Sequence, residues 1–190
     1  QRLGIIISVR AIFTCRTIER LFDEVIVQQQ LTDKIGIIAE QGLLSGNVPL
    51  LPIGHWFFAQ QLINPGYYNQ AFLIAVPELD VKRLKEALTQ LIGYHDCLRL
   101  QYGLDKQGCY STTTDYTLHQ LDVATLSSTA VEDELSKWQS QFVLDGGSSL
   151  FSVGYLYGYG DGSARIYFAL HHLLVDVVSW RIIADDLKRL

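Results

Sequence analysis

The stretch Arg165-Ile166-Tyr167-Phe168-Ala169-Leu170-His171-His172-Leu173-Leu174-Val175-Asp176 decides how this chain is read. Its first six residues have the aromatic and β-branched character of a strand. Two histidines then follow at the strand's exit, where imidazoles are costly unless they are used. Strand side chains alternate, so continued strand geometry sends His171 and His172 to opposite sides. That argues against one metal ion shared by both rings and favours a division of labour, one histidine packed and the other facing a cavity. Asp176 begins the next helix, either as its N-cap or as a buried partner for a cation. Spacing alone leaves open whether the pair is catalytic or structural.

Working outward, Trp180, Ile183, Ala184, Leu187 and Leu190 recur at helical spacing after Asp176. Upstream, Phe151–Tyr157 reads as a strand joined to Arg165–Leu170 by the hairpin signal Gly158-Tyr159-Gly160-Asp161-Gly162-Ser163. That turn lacks a Lys-Ser/Thr pair and joins strand to strand, so it is no phosphate loop. Earlier elements are a short helix after Pro52, a strand over Gln70–Val76, and a helix capped by Asp80 with Val81, Leu84, Leu88, Leu91 and Ile92 on one face. A strand over Leu98–Tyr102, weaker strands over Tyr110–Thr113 and Tyr116–Leu121, and a helix from Thr129 to about Phe142 follow. The acidic run Glu132–Glu134 reads as a solvated helix face. Helices interleaved with strands and one hairpin give an α/β class, an α+β sandwich with a mixed sheet and packed helices.

Composition narrows the function. The chain has 190 residues, 48% hydrophobic and 18% charged, with net charge −5. That balance excludes a disordered chain, and the net charge argues against nucleic acid as a partner. Apolar runs are far shorter than the ~20 residues of a membrane-spanning helix, and no secretory leader is legible. Cys15, Cys97 and Cys109 lack C-x-x-C spacing and read as reduced thiols, which suits a cytoplasmic protein. No methionine occurs anywhere, so the chain reads as a piece of something longer.

The run His171–Asp176 resembles the HHxxxDG motif of the condensation superfamily of nonribosomal peptide synthetases. Extended to Val177-Val178-Ser179-Trp180-Arg181-Ile182, it is most similar to the epimerization branch, whose usual form is close to HHLVVDGVSWRIL. Val48–Phe58 resembles that branch's opening motif PIQxWF. Asn69-Gln70 and His95-Asp96-Cys97-Leu98-Arg99-Leu100 also sit where the superfamily has similar residues. Near the N-terminus, Gly4–Phe13 and Thr17–Leu21 resemble the end of a peptidyl carrier domain, without the serine that bears phosphopantetheine. Ile18, Leu21, Phe22, Val25 and Ile26 are spaced as one face of a helix capped by Thr17.

The resemblance implies a carrier remnant over residues 1–28, a linker over 29–47, partly helical around Lys34–Gln41, and a domain's N-terminal lobe over 48–190. That lobe is of the chloramphenicol-acetyltransferase-like kind. A second lobe of the same domain closes a tunnel over the histidine motif, and neighbouring synthetase domains complete the assembly. The implied activity is epimerization of an aminoacyl or peptidyl thioester presented on the 4'-phosphopantetheine of a carrier domain, with no directly bound cofactor or metal. The alternatives are a condensation domain and a non-catalytic carrier-docking module. Through the resemblance, His172 is the catalytic histidine, His171 its packed partner, Asp176 a structural residue salt-bridged to Arg99, and Val177, Ser179 and Trp180 border the tunnel. A second acid/base is expected as a glutamate of the second lobe. Two residues depart from the pattern: Val177 replaces the motif's glycine, and Gly54 the glutamine of PIQxWF.

Overall fold

The computed structural model describes residues 7–27, 42–144 and 148–190. The expected helix at 34–41 and the start of the carrier-like stretch at 4–6 lie outside them. The chain divides into two units, 1–41 and 42–190, a boundary inside the segment expected as linker.

In the first unit, α1 (Val9–Cys15) is capped by the Ser8 hydroxyl, which accepts from the Ala11 N–H. Apolar spacing carries no signal for this helix; only the likeness to a carrier end covers it. Thr17 caps α2 (Ile18–Leu21) through a bond from the Arg20 N–H, as its position predicts. The helix then loosens into a π-turn over Phe22–Ile26, where the Val27 N–H reaches back to the Phe22 carbonyl.

The second unit is built on a four-stranded mixed sheet. Its strands are β2 (Asn69–Pro77), β5 (Leu118–Asp122), β6 (Phe151–Tyr157) and β7 (Ser163–His171), in the order β2-β7-β6-β5. The β2–β7 and β7–β6 pairs are antiparallel; β6–β5 is parallel. The parallel pair needs a crossover, supplied by α5 (Ser128–Gln139) between β5 and β6. Gly158 and Gly162 take positive φ in the β6–β7 hairpin, where side chains would strain. A small antiparallel sheet, β1 (Gly46–Val48), β4 (Gly108–Tyr110) and β3 (Leu100–Tyr102), in the order β1-β4-β3, flanks the main one. The strand expected at 110–113 ends at Tyr110, because the Ser111 hydroxyl accepts from the Thr113 N–H and turns the chain away.

Helices α3 (Pro52–Ala59), α4 (Val81–Tyr94) and α6 (Val177–Leu187) complete the unit. Central strands β6 and β7 are buried almost throughout, because both sheet faces are covered. On one face α5 packs its Trp138 against Tyr167 and His119. A Cβ at Gly154 would overlap that indole, so the glycine sets the helix's approach. On the other face Ile166, Leu84, Ala184 and Leu187 converge between the sheet, α4 and α6. Edge strand β2 alternates, with Gln70, Phe72, Ile74 and Val76 turned inward and Ala71, Leu73 and Ala75 exposed. Glu134 departs from the solvated reading of its run: it is half-buried, accepts from the Trp138 indole at 3.0 Å and pairs with Lys137.

No helix among the described residues is long and apolar enough to cross a membrane.

Candidate functional site

The site lies where β7 gives way to the turn before α6. His171, the last residue of β7, is fully buried. Its Nε2–H donates to the Pro65 carbonyl at 3.0 Å, which leaves Nδ1 to accept from the Leu173 N–H at 3.2 Å. The Phe57 ring meets it edge-on at 5.2 Å. Burial holds its imidazole below the ordinary 6.5, with the Pro65 bond opposing. Its ring is fully buried with both nitrogens bonded to backbone, so His171 supports the turn.

The unfolded chain takes up His171's proton first as pH falls. Its contribution to stability is therefore full above about 6.5 and lost as pH drops from there toward the folded value. His119, also held low by burial, acts in the same direction. Denaturation midpoints measured across pH 7.5 to 5 are expected to fall below about 6.5, and His171→Asn to flatten that slope. An unchanged slope in the variant would contradict this account.

His172 turns the other way. Its backbone N–H donates to the Tyr68 carbonyl at 2.8 Å, and its half-buried ring leans on Tyr68 at 5.1 Å. The ring borders a cavity of about 340 Å³, shared with Ile53, Tyr68, Val175, Asp176 and Ser179. Nδ1 lies 2.8 Å from the Val175 carbonyl, which only accepts, so Nδ1 carries the proton and Nε2 is the acceptor nitrogen. Nε2 lies 3.3 Å from the side-chain amide of Gln70 on β2. Gln70 accepts in turn from the Trp180 indole N–H on α6 at 2.7 Å.

Asp176 and Arg99 require a correction, because they do not form the expected salt bridge. Asp176 is the N-cap of α6. Its Oδ1 accepts from the Val178 and Ser179 N–H groups and from the Ser179 hydroxyl, and that hydroxyl accepts from the Asp176 N–H. These bonds, the Ser179 side chain first, hold its carboxyl below the usual range. Arg99 is spent elsewhere. Buried in the 3-10 turn Asp96–Arg99, it pairs with Asp96 one turn back and donates to the Leu44 and Ser111 carbonyls. It ties together three segments of the small sheet's surroundings.

The cap reading makes a separable prediction. Asp176→Asn keeps an acceptor oxygen for the first turn of α6 and is expected to retain turnover in the intact protein. Asp176→Ala removes it and is expected to lower turnover about tenfold by loosening Ser179 and Trp180. Equal losses in both variants would show that the charge, not the cap, matters.

Val177 occupies the first helical position of α6 with its side chain 79% exposed, and it takes no positive φ. The valine therefore strains nothing where the family motif has glycine. Ser179 and Trp180 are half-buried, Ser179 beside His172 and Trp180 edge-on to Phe72 at 4.5 Å. Sequence reasoning undervalued Gln70 and overlooked Tyr68. Asn69, the neighbour of Gln70, is structural: it exchanges amide hydrogen bonds with Gln139 of α5. His95, unassigned from the sequence, pairs with Asp186 of α6 at 3.1 Å. Among the described residues no three His, Cys, Asp or Glu side chains converge to hold a metal.

Comparison with known proteins places this geometry. The Condensation domain family matches residues 45–190. The chain is 39% identical over 198 aligned residues to N-(5-amino-5-carboxypentanoyl)-L-cysteinyl-D-valine synthase of Penicillium rubens, an alignment covering 100% of this chain and 5% of that protein. It is 31% identical to tyrocidine synthase 1 of Brevibacillus parabrevis, over 78% of this chain and 14% of that protein. The chain thus spans a small part of these curated relatives. Among solved structures, the epimerization domain from the third module of tyrocidine synthetase B superposes with TM-score 0.71 at 28% identity, covering 79% of this chain and 35% of that one. The starter condensation domain of rhizomide synthetase shares the fold, with TM-score 0.63 at 22% identity over 76% of this chain and 36% of that one. With a family match over most of its length and a double histidine at the end of a central strand, the chain belongs to the condensation domain family of nonribosomal peptide synthetases.

Proposed function

We propose that residues 48–190 form the first lobe of an epimerization domain. It inverts the α-carbon of an aminoacyl or peptidyl residue held as a thioester on the phosphopantetheine of a carrier domain. The observation that carries this is the bonding of the His172 ring: Nδ1 lies 2.8 Å from the Val175 carbonyl, which assigns the proton to Nδ1 and leaves Nε2 the acceptor nitrogen of a ring that borders the cavity. An α-hydrogen next to a thioester is acidic because the carbanion delocalises into the carbonyl as an enolate. Nε2 takes that hydrogen as a proton, and the C–H electron pair becomes the enolate. Reprotonation from the opposite face gives the other configuration. Its donor is expected in the second lobe, as a glutamate.

Two further observations favour this branch. The run after Asp176 has the Val-Ser-Trp order of the epimerization form, and Trp180 of that run is hydrogen-bonded into the site. The Penicillium relative's name specifies a D-configured valine. Residues 1–28 fit the same order as the end of the carrier domain that precedes such a lobe, with 29–47 as the linker. Partners are then the loaded carrier domain, the second lobe and the adjoining synthetase domains.

Condensation is the second reading, favoured by the Condensation domain family match over residues 45–190. There the same Nε2 would assist an acceptor amine in attacking a donor thioester. One assay separates the two. An α-deuterated aminoacyl group is loaded on the carrier of the intact synthetase, and loss of deuterium to water is followed by mass spectrometry. Deuterium loss dependent on His172 supports epimerization. Retention of the label alongside His172-dependent peptide-bond formation would establish condensation, and carrier binding without either reaction would leave a docking module.

A further inference from the structure

Gln70 lies on β2, more than a hundred residues from the histidine it meets. It is a polar residue on the inward face of an otherwise apolar strand, and its amide has only one self-consistent orientation. The Trp180 indole is a donor without acceptor capacity, so the oxygen of Gln70 must face it at 2.7 Å. The NH2 group is thereby aimed at His172 Nε2, 3.3 Å away. On the far side of the imidazole the Val175 carbonyl requires Nδ1–H. Every donor in the line Trp180, Gln70, His172, Val175 therefore meets an acceptor, provided that Nε2 is bare. The indole is itself held edge-on against Phe72, so the line is anchored in the core between β2 and α6.

From this we propose that Trp180 and Gln70 are positioning residues that keep His172 Nε2 the unprotonated nitrogen of the site and drive off a proton once it has been taken. The mechanistic part rests on the reading of His172 as the base. In the resting site the Gln70 amide donates to the single lone pair of Nε2 and holds the ring plane, and an arriving α-hydrogen displaces that 3.3 Å bond. When Nε2 accepts the α-hydrogen it becomes a donor facing a second donor. Gln70 cannot rotate to accept that proton without breaking its bond to Trp180. The proton-bearing state loses a hydrogen bond that the resting state has, which favours returning the proton over storing it. Epimerization requires that return in every cycle.

The test uses the intact synthetase and a readout independent of turnover. Diethyl pyrocarbonate acylates bare imidazole nitrogens, so the rate of His172 modification against pH, read by peptide mass spectrometry, reports when Nε2 is free. Gln70→Glu replaces the amide NH2 with a carboxylate oxygen that accepts from a protonated Nε2. Its curve is expected to move up by about one pH unit or more, with modification near neutral pH about tenfold slower than in the wild type. Trp180→Phe keeps an aromatic ring on Phe72 but frees Gln70 to turn, and its curve is expected to move the same way by a smaller amount. In a Gln70→Leu background, Trp180→Phe is expected to add nothing further. Deuterium washout should fall about tenfold in Gln70→Leu, in kcat rather than KM. If the curve of either Gln70→Glu or Trp180→Phe superimposes on the wild-type curve, the relay does not exist. Should His172→Ala leave washout intact, the base reading falls, while the modification curves still decide the relay.

Discussion

Replacing His172 with alanine in the intact synthetase is expected to slow loss of α-deuterium from the carrier-bound residue by about 10²- to 10⁴-fold, the range removed with a positioned general base. The loss should appear in kcat with little change in KM, because the imidazole edge meets the substrate at one atom while the thioester arm makes its contacts elsewhere. The fold should survive. His172 is half-buried, and its neighbour His171, not His172, locks the turn through Pro65 and Leu173. Washout in His172→Ala at the wild-type rate would remove His172 from the chemistry.

The largest effect on stability is expected at Arg99. Its side chain is 1% exposed and is shared among the Asp96 carboxylate and the carbonyls of Leu44 and Ser111. Arg99→Ala strands a carboxylate and two carbonyls around an emptied volume, a change of the kind that costs about 3–5 kcal/mol. Chemical denaturation or a protease-susceptibility midpoint measures it. Asp96→Ala should be comparably damaging through the charge it leaves on Arg99, whereas Asp176→Asn should be close to neutral. Had the arginine belonged to Asp176, that order would be reversed, so the three variants together decide the pairing.

Much of this was legible in the residues because local chemistry and tertiary context agreed. The alternation of strand side chains is enough to separate His171 from His172, and the caps at Thr17, Asp80 and Asp176 lie where short polar residues precede apolar spacing. Pairings between distant segments were not legible. Whether a buried arginine joins Asp176 or Asp96 is a matter of which acid the folded chain brings near, and Asp176 was already consumed by its own helix. The α2 helix announced its start but not its π-turn, since spacing of apolar residues does not distinguish neighbouring helical registers. Gln70 did carry a signal: Phe72, Ile74 and Val76 share its face of β2, and a lone amide among them asks for a partner. Only the fold names that partner as His172 and Trp180.

The pairing of β2 with β7 also governs when the site comes into being. Gln70 and His172 are 102 positions apart, and β2, which carries Gln70, is the direct neighbour of β7, which His172 follows. At translation speeds of about 5–20 residues per second, some 5–20 seconds pass between the synthesis of one and of the other. Through that interval the nascent β2 has neither its neighbour nor the helix that covers its inward face. Contacts of such long sequence separation are closed late and slowly. The histidine edge can therefore close only after the intervening hundred residues have been made.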